Sequence, residues 1–342
     1  MRSSTPTRQK SSIDNSIIRN IVRQAAVYYK PLSFSFDAHI AGRNYKLQSS
    51  SATIIHAPAT KASIMPSTTK YIVNIRAINY HLDEAGNIIK NDPHPDIITL
   101  NKLAYLDAQF NILSETWVPM SPPLRPTVPY NGVEDVRLYA VPETDIIHYT
   151  GSYYNENDKK IGIVIGELSD ITAPRYLPTL ISPTFHTTNT WEKNWVMFGE
   201  PVRIIYKWNP LQICKIEEDK LVLVSSQPMP PIFDKFRGST NGVNYKGRWW
   251  FIVHFHHISA IDNKRTYLHC WVVFNFDMQL MGYSRPFNFR NKAVEYCIGM
   301  IENNANFILT YSILDKTTEL AIIPIKTIAT AIFGEDLFTN RR

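Results

Sequence analysis

The feature that most restricts the fold of this chain is a strand pair that recurs five times between about residues 70 and 327. Each copy is an apolar run with a polar or cationic residue near its end, a connection, and a second apolar run leading toward an acid. The copies are KYIVNIRAI with NKLAYLDAQF, DIIHYTGSYY with KIGIVIGELSD, PVRIIYKWN with LQICKIEEDK, WWFIVHFHH with TYLHCWVVFNFD, and NFILTYSIL with TELAIIPIKT. β-Branched and aromatic runs between Asn, Asp, Gly and Pro clusters read as strands and turns. A repeated unit of this kind buries its apolar faces only against its neighbours. The pattern predicts an all-β chain, a five-bladed β-propeller with a short N-terminal amphipathic helix, in which radial closure removes exposed strand edges. A two-sheet sandwich with the same number of strands is the alternative, and it does not require a polar mark in every unit.

The 342 residues are 44% apolar and 19% charged, enough for a substantial core and too little charge for a disordered chain. The net charge of +6 is concentrated at the start: Arg2, Arg8, Lys10, Arg19, Arg23 and Lys30 face one acid, Asp14, in residues 1–30. The remainder is near neutral, so a nucleic-acid adaptor rests on the tail alone, and no nucleic-acid partner is expected. Residues 1–11 read as a flexible basic tail. Ser12 caps a helix over 12–30 whose apolar positions are Ile13, Ile17, Ile18, Ile21, Val22, Ala25 and Ala26. The propeller is expected over 31–330 and a C-terminal tail over 331–342. Cys214, Cys270 and Cys297 form no C-x-x-C pair, which argues against a disulfide framework or thiolate zinc site and fits a reducing compartment. No apolar run reaches the length of a membrane span, and no secretory leader is legible, so a soluble cytoplasmic protein is expected.

The polar marks carry the functional reading. Arg76, Tyr149–Thr150, Lys207, His254 and Tyr311 occupy matching strand positions, and in a propeller such positions converge on one central funnel. A ring of cation, hydroxyl and imidazole suits a polyhydroxylated or anionic ligand, or merely fills the channel with hydrogen-bonded side chains. In PYNGVEDVRLYA, Asn131–Gly132 forms a turn and Glu134–Asp135 precedes a strand. Alternation along an extended chain sends the two carboxylates to opposite faces and puts Arg137 on the side of Asp135. A carboxyl at a channel mouth is what glycosyl transfer requires, while a turn acid paired with Arg137 is the structural reading. His254 and His256 share a face, but no third ligand with metal spacing accompanies them, and no metal is expected. Trp191 and Trp195 flank Lys193 and Asn194, as stacking platforms or as core. Glu295 stands among apolar residues, where a carboxylate needs a partner or a task. Phosphate-loop, dinucleotide-turn, serine-elbow, H-E-x-x-H and Asp-x-Asp signatures are absent.

The Gly132-Val133-Glu134-Asp135-Val136-Arg137 block, followed by HYTGSYY and KIGIVIGELSD, resembles the Gly-(Val/Ile)-Glu-Asp-Pro-Arg pattern of glycoside hydrolase family 130. That family comprises five-bladed propeller β-mannoside phosphorylases and hydrolases, with the mannosyltransferases of glycosyltransferase family 108 as relatives. RGSTNGVNYKGRWWFIVHFHH resembles the family's "YHG" blade, and the last repeat resembles its "YYGAAD…GLA" segment. Still closer is a resemblance to uncharacterised propeller domains found near glycosyltransferases, carried by Lys193-Asn194-Trp195, RTYLHCWVVFNFD, SRPFNF and Glu295–Met300. The likeness spans roughly residues 40–327.

The resemblance implies that Asp135 is the proton-transfer residue and that Arg76 and His254 contact sugar. Repeat position, local motif and polar placement add Glu134, Arg137, Lys193, Asn194, Lys207, Glu295 and Tyr311 to the expected substrate-binding set. Val136 replaces the family proline, and Lys207 and about Asn244 stand where the phosphorylases carry phosphate-binding Arg and Lys. Phosphate capture needs several convergent cations, so the sequence favours transfer over phosphorolysis. The expectation is a mannosyltransferase-like enzyme of glycan synthesis acting on a sugar nucleotide or oligosaccharide without a cofactor. The alternatives are a β-mannoside hydrolase or phosphorylase, and a non-catalytic glycan-binding propeller.

Overall fold

The structure, a computed structural model, describes residues 28–119, 128–142, 144–168, 170–171, 174–176, 179–187, 189, 191–259 and 265–334, with Val22, Ala25 and Leu124. Apart from Val22, Ala25 and residues 28–30, the expected tail and helix over 1–30 lie outside the described residues.

All five sequence repeats form antiparallel pairs. They are Tyr71–Ile78 with Ile97–Leu106, Ile147–Asn155 with Lys160–Glu167, Arg203–Trp208 with Leu211–Glu217, Arg248–Ile258 with Arg265–Phe274, and Asn306–Ile313 with Thr317–Pro324. Each pair is flanked by two further strands. Arg43–His56 and Ile112–Val118 flank the first pair, Glu134–Ala140 and Thr179–Pro183 the second, Val196–Phe198 and Lys220–Gln227 the third, and Arg237–Gly238 and Leu280–Tyr283 the fourth, while Ser35–Ile40 and Tyr130–Asn131 extend the first sheet and Val243–Tyr245 the fourth. The second and third run into one eight-stranded sheet through a short parallel contact of Ser182–Pro183 with Lys220–Leu221.

The fifth sheet draws on both ends of the chain: Glu295–Asn303 lies on one side and Tyr28–Pro31 on the other. The expected helix therefore gives way to strand at Tyr28–Lys30. Two tyrosines favour extended backbone, and the otherwise unpaired edge of Thr317–Pro324 offers them a ladder. At the other end Ile325–Phe333 is a helix rather than the expected sheet end and tail. Ile325, Ile328 and Ala329 are buried, with Ile332 and Phe333 packed beside them, on the helical i, i+3, i+4, i+7 spacing.

The core divides into clusters between neighbouring sheets. Ile72, Leu103, Val136 and Leu138 join the first to the second. Ile163, Trp195, Ile204 and Cys214 join the second to the third, and Ile205, Trp208, Phe251 and Cys270 the third to the fourth. Trp250, Trp271, Phe307 and Leu309 join the fourth to the fifth. Ile54, Val73, Ile301 and Ile308 then join the fifth back to the first. The sheets thus close on themselves. All three cysteines are free and buried in or beside these clusters, and burial pushes the Cys214 thiol up to about 12.

Several hairpin turns repeat one device. Asp83, Asp107 and Asn275 each accept the backbone N–H four residues on (Asn87, Asn111, Gln279) at 2.8 Å. An Asx side chain stands in for backbone there and fixes the strand register that aims residues inward.

Candidate functional site

The site begins at Gly132, whose φ of +94° and position 2.0 Å from the Thr99 carbonyl oxygen (measured from a hypothetical Cβ) admit no side chain. Asn101 donates to the next carbonyl, of Val133, at 2.9 Å. The pairing of Glu134–Ala140 then slips: Glu134 faces Ser152 and Arg137 faces Thr150. Within this bulge Asp135 adopts a left-handed φ of 51°. Simple alternation fails here, because a bulged residue re-aims its side chain. Both carboxylates reach one guanidinium. Arg76 Nη1 lies 3.0 Å from Asp135 Oδ1, and Nη2 lies 3.1 Å from Glu134 Oε1.

Neighbouring strands and loops complete this cluster. Ser51 donates to Asp135 Oδ1 at 3.0 Å, and Ser50 donates to Asp315 Oδ1 at 2.6 Å. Arg76 also donates to the Tyr80 hydroxyl at 3.3 Å, and Lys193 Nζ pairs with Glu134 Oε2 at 3.3 Å. The Asp135 side chain keeps 13% of its surface exposed, whereas Arg76 is almost enclosed.

Burial works against the charge on Asp135, but Arg76, then Arg137 and Lys193, and the Ser51 hydroxyl outweigh it and hold its carboxyl below the usual range. Asp315 goes the other way. Burial raises it, Arg76 and Ser50 offset only part of the rise, and Asp135 and Glu134 add to it. Lys193 is raised because Glu134 and Asp135 overcome its burial. Neighbouring carboxyls whose affinities for the proton are pushed apart can divide acid and base roles between them.

A second buried arginine lies beside the first. Arg137 donates to the carbonyl of Ser239 at 2.7 Å, to the Tyr296 hydroxyl at 2.7 Å and to the carbonyl of Asp135 at 3.1 Å. Longer contacts reach Asn194 Oδ1 and the Gly238 carbonyl, both at 3.4 Å. Its donors are occupied by neutral acceptors, so Arg137 braces the wall rather than gripping a carboxylate, and Glu134 holds Arg76 and Lys193 instead of orienting it. Asn194, at a φ of 66°, accepts from Tyr296 at 2.7 Å. His254 shares a 2.8 Å hydrogen bond with Ser239 and stacks on Tyr267 at 5.7 Å. Burial first, then His269, Arg137 and Arg237, keep its imidazole well below its ordinary value and hence neutral.

Lys193 and Asn194 also line a cavity of about 720 Å³ whose wall includes Trp191, Lys207, Lys235, Arg237 and His256. Lys207 therefore faces this cavity and not Arg76. The tryptophan pair divides: Trp195 is buried in the core and Trp191 is 54% exposed. Two expected residues stand apart. Glu295 accepts the backbone N–H groups of Phe289, Arg290 and Lys292 and so clamps a loop. Tyr311 stacks on Phe289 at 4.2 Å and donates to Glu319 at 2.7 Å. Both are enclosed in the last sheet, where packing gives them their task. Ser50, Ser51, Tyr80, Tyr296 and Asp315 were not singled out by sequence. The run Ser49–Ser50–Ser51 inside an apolar strand was a legible anomaly, since three fully buried serines need a polar centre nearby. Among the described residues no group of three or more His, Cys, Asp or Glu is placed to hold a metal, and no helix is long and apolar enough to cross a membrane.

No protein-family model matches the chain, and no curated protein matches it in sequence. Solved structures do match it. The β-1,2-mannobiose phosphorylase of Listeria innocua, in complex with β-1,2-mannobiose, superposes with a TM-score of 0.52 at 12% identity, over 83% of this chain and 92% of that one. A second structure comes from work on the glycoside hydrolase family 130 mannoside phosphorylases, described as containing hydrolases that target β-1,2 mannosidic linkages in Candida mannan. It superposes with a TM-score of 0.52 at 9% identity, over 85% of this chain and 89% of that one. The fold of this chain is the propeller-like fold of those structures.

Proposed function

We propose that this chain is a five-bladed β-propeller enzyme that breaks β-mannoside-type linkages by hydrolysis or phosphorolysis, with Asp135 as the proton-transfer residue. The observation that carries the reading is the pair of adjacent carboxylates, Glu134 and Asp135, turned by a bulge onto the one buried guanidinium of Arg76. Five inter-sheet cores in a closed ring support the blade count. Asp135 starts ionised, so it first accepts a proton or a sugar hydroxyl hydrogen bond. Asp315, the carboxyl with the raised proton affinity, is the partner that holds a proton. Lys193 and Arg76 keep the charge of Glu134 and Asp135 in place. Tyr296, Asn194 and His254 present neutral polar groups to a sugar. Glycosyl transfer from a sugar nucleotide, which the sequence favoured, becomes the second reading, because the similar folds are described as mannoside phosphorylases and hydrolases.

The test is incubation of the purified chain with β-linked mannobioses, with and without inorganic phosphate, beside a panel of nucleotide sugars, with products followed by mass spectrometry. Mannose released without phosphate identifies a hydrolase, and a phosphate-dependent sugar phosphate identifies a phosphorylase. Asp135→Asn is expected to slow either by about 10²- to 10⁴-fold, the usual range for a positioned proton-transfer group. Product from nucleotide sugars alone returns the reading to transfer. Saturable binding with no product across the panel makes the chain a binding module. Full turnover by folded Asp135→Asn removes Asp135 from the chemistry.

A further inference from the structure

The cavity beside the carboxylate cluster has a chemistry of its own. Four cations line it, Lys193, Lys207, Lys235 and Arg237, against two acids, Glu192 and Asp234. Both acids are engaged locally. Glu192 accepts from Trp195 at 3.2 Å and Tyr206 at 3.0 Å, and Asp234 accepts from Asn209 at 2.9 Å. Of the cations only Lys193 has a carboxylate partner, Glu134. Among the described residues Lys207, Lys235 and Arg237 have none. The surplus positive charge is felt by His256 on the same wall, which burial and then Arg237 and Arg265 hold below its ordinary value.

The wall is also aromatic. Trp191 is 54% exposed, stands edge-on to Tyr130 at 6.3 Å, and faces the cavity together with Phe185 and Phe236. An exposed indole face beside free cations suits a ring that carries a charge better than a small free anion. The volume, about 720 Å³, lies within the range of pockets that enclose whole ligands.

We propose that this cavity binds the part of the substrate beyond the bond being broken, and that this part is a sugar bearing its own oxyanion, a uronate carboxylate or a phosphate ester. The inference rests on the glycan-directed reading above and adds the charge of the substrate to it. Trp191 takes the ring face, Lys207 and Arg237 the oxyanion, and Lys193 marks the boundary with the Glu134–Asp135 cluster.

Calorimetric titration of the full chain with glucuronate, mannose 6-phosphate, mannose and inorganic phosphate tests it. At least one charged sugar is expected to bind about ten-fold tighter than mannose and than inorganic phosphate, and to weaken as salt is added. A preference for glucuronate assigns a uronate, and a preference for mannose 6-phosphate assigns a phosphate ester. Lys207→Met and Arg237→Met, each checked by its melting curve, are expected to cut the charged-to-neutral affinity ratio about ten-fold, the scale of one charged hydrogen bond. Equal affinity for mannose and both charged sugars overturns the proposal. So does inorganic phosphate binding as tightly as mannose 6-phosphate, or a ratio that survives in the Lys207→Met/Arg237→Met double variant. Loss of the preference with neutral mannosides still cleaved sinks this inference alone. A preserved preference with no mannoside cleaved sinks the β-mannoside reading and leaves the charged-glycan cavity standing.

Discussion

Arg76 and Arg137 are both buried, lie beside one another, and come from adjacent sheets, yet they do opposite work. Arg137 is 1% exposed and is held by carbonyls, one hydroxyl and an amide. Its charge is matched by dipoles, and its contacts reach the fourth and fifth sheets and the segment that leads into the third. Arg76 is matched by carboxylates, with Glu134 and Asp135 in direct contact and Asp315 close enough to feel its field. Identical guanidinium groups thus make a brace in one place and a charge store in the other. The acceptors decide which: neutral acceptors fix geometry, and ionised ones couple the arginine to protonation and to ligands.

The comparison breaks most readily at Arg76. Arg76→Met takes from Asp135 its ion-pair partner and leaves Glu134 with Lys193 alone, and is expected to cost about 3 kcal/mol of stability in urea unfolding, together with nearly all turnover. Arg137→Met is expected to cost about 2–3 kcal/mol, because the Ser239 and Gly238 carbonyls lose their donor. It should leave the titration of the site carboxyls in the same order. If Arg137→Met reverses that order while Arg76→Met does not, the two roles have been exchanged.

The pH dependence sharpens the contrast. The folded value of Asp135 is depressed, so its stabilising contribution is present above the unfolded carboxyl range and is lost as pH falls through the folded value. Asp315 is raised, so its contribution is present at low pH and is lost as pH rises through its folded value. Turnover that needs Asp135 ionised and Asp315 protonated should fall on both sides. Asp315→Asn should flatten only the alkaline limb of the rate profile. The smallest effect is expected at Tyr296→Phe, about 1 kcal/mol in urea unfolding, since Arg137 and Asn194 lose one shared hydroxyl.

Much of this was legible in the sequence, for reasons that differ by residue. The strand pairs announce themselves because each is a short run rich in β-branched and aromatic residues between polar turns, from Tyr71–Ile78, buried along its whole length, to Leu211–Glu217, only partly so. Arg76, Glu134, Asp135, Lys193 and Asn194 were found from repeat position and local motif, and the fold brings them together. Glu295 and Tyr311 had the same appearance, a polar group in an apolar strand, but local hydrogen bonds and stacking satisfy them within the last sheet. Sequence does not tell which neighbour a buried polar group meets. The joint aim of Glu134 and Asp135 was invisible because a bulge cancels the period-two rule on which the expectation rested. Asp315 was missed because it lies past a strand end, in a turn at a φ of 49°, with nothing local to mark it. The C-terminal helix had a readable spacing in IKTIATAIF that the dominant strand pattern masked.

The central claim is that Asp135 and Asp315 hold unequal protonation around Arg76. The direct measurement is a carbon-13 titration of aspartate carboxyls in the full chain, with the two signals assigned through Asp135→Asn and Asp315→Asn. The account predicts that Asp135 titrates below the ordinary aspartate range and Asp315 above it. Two signals that titrate together in the ordinary range, or in the reverse order, would contradict it.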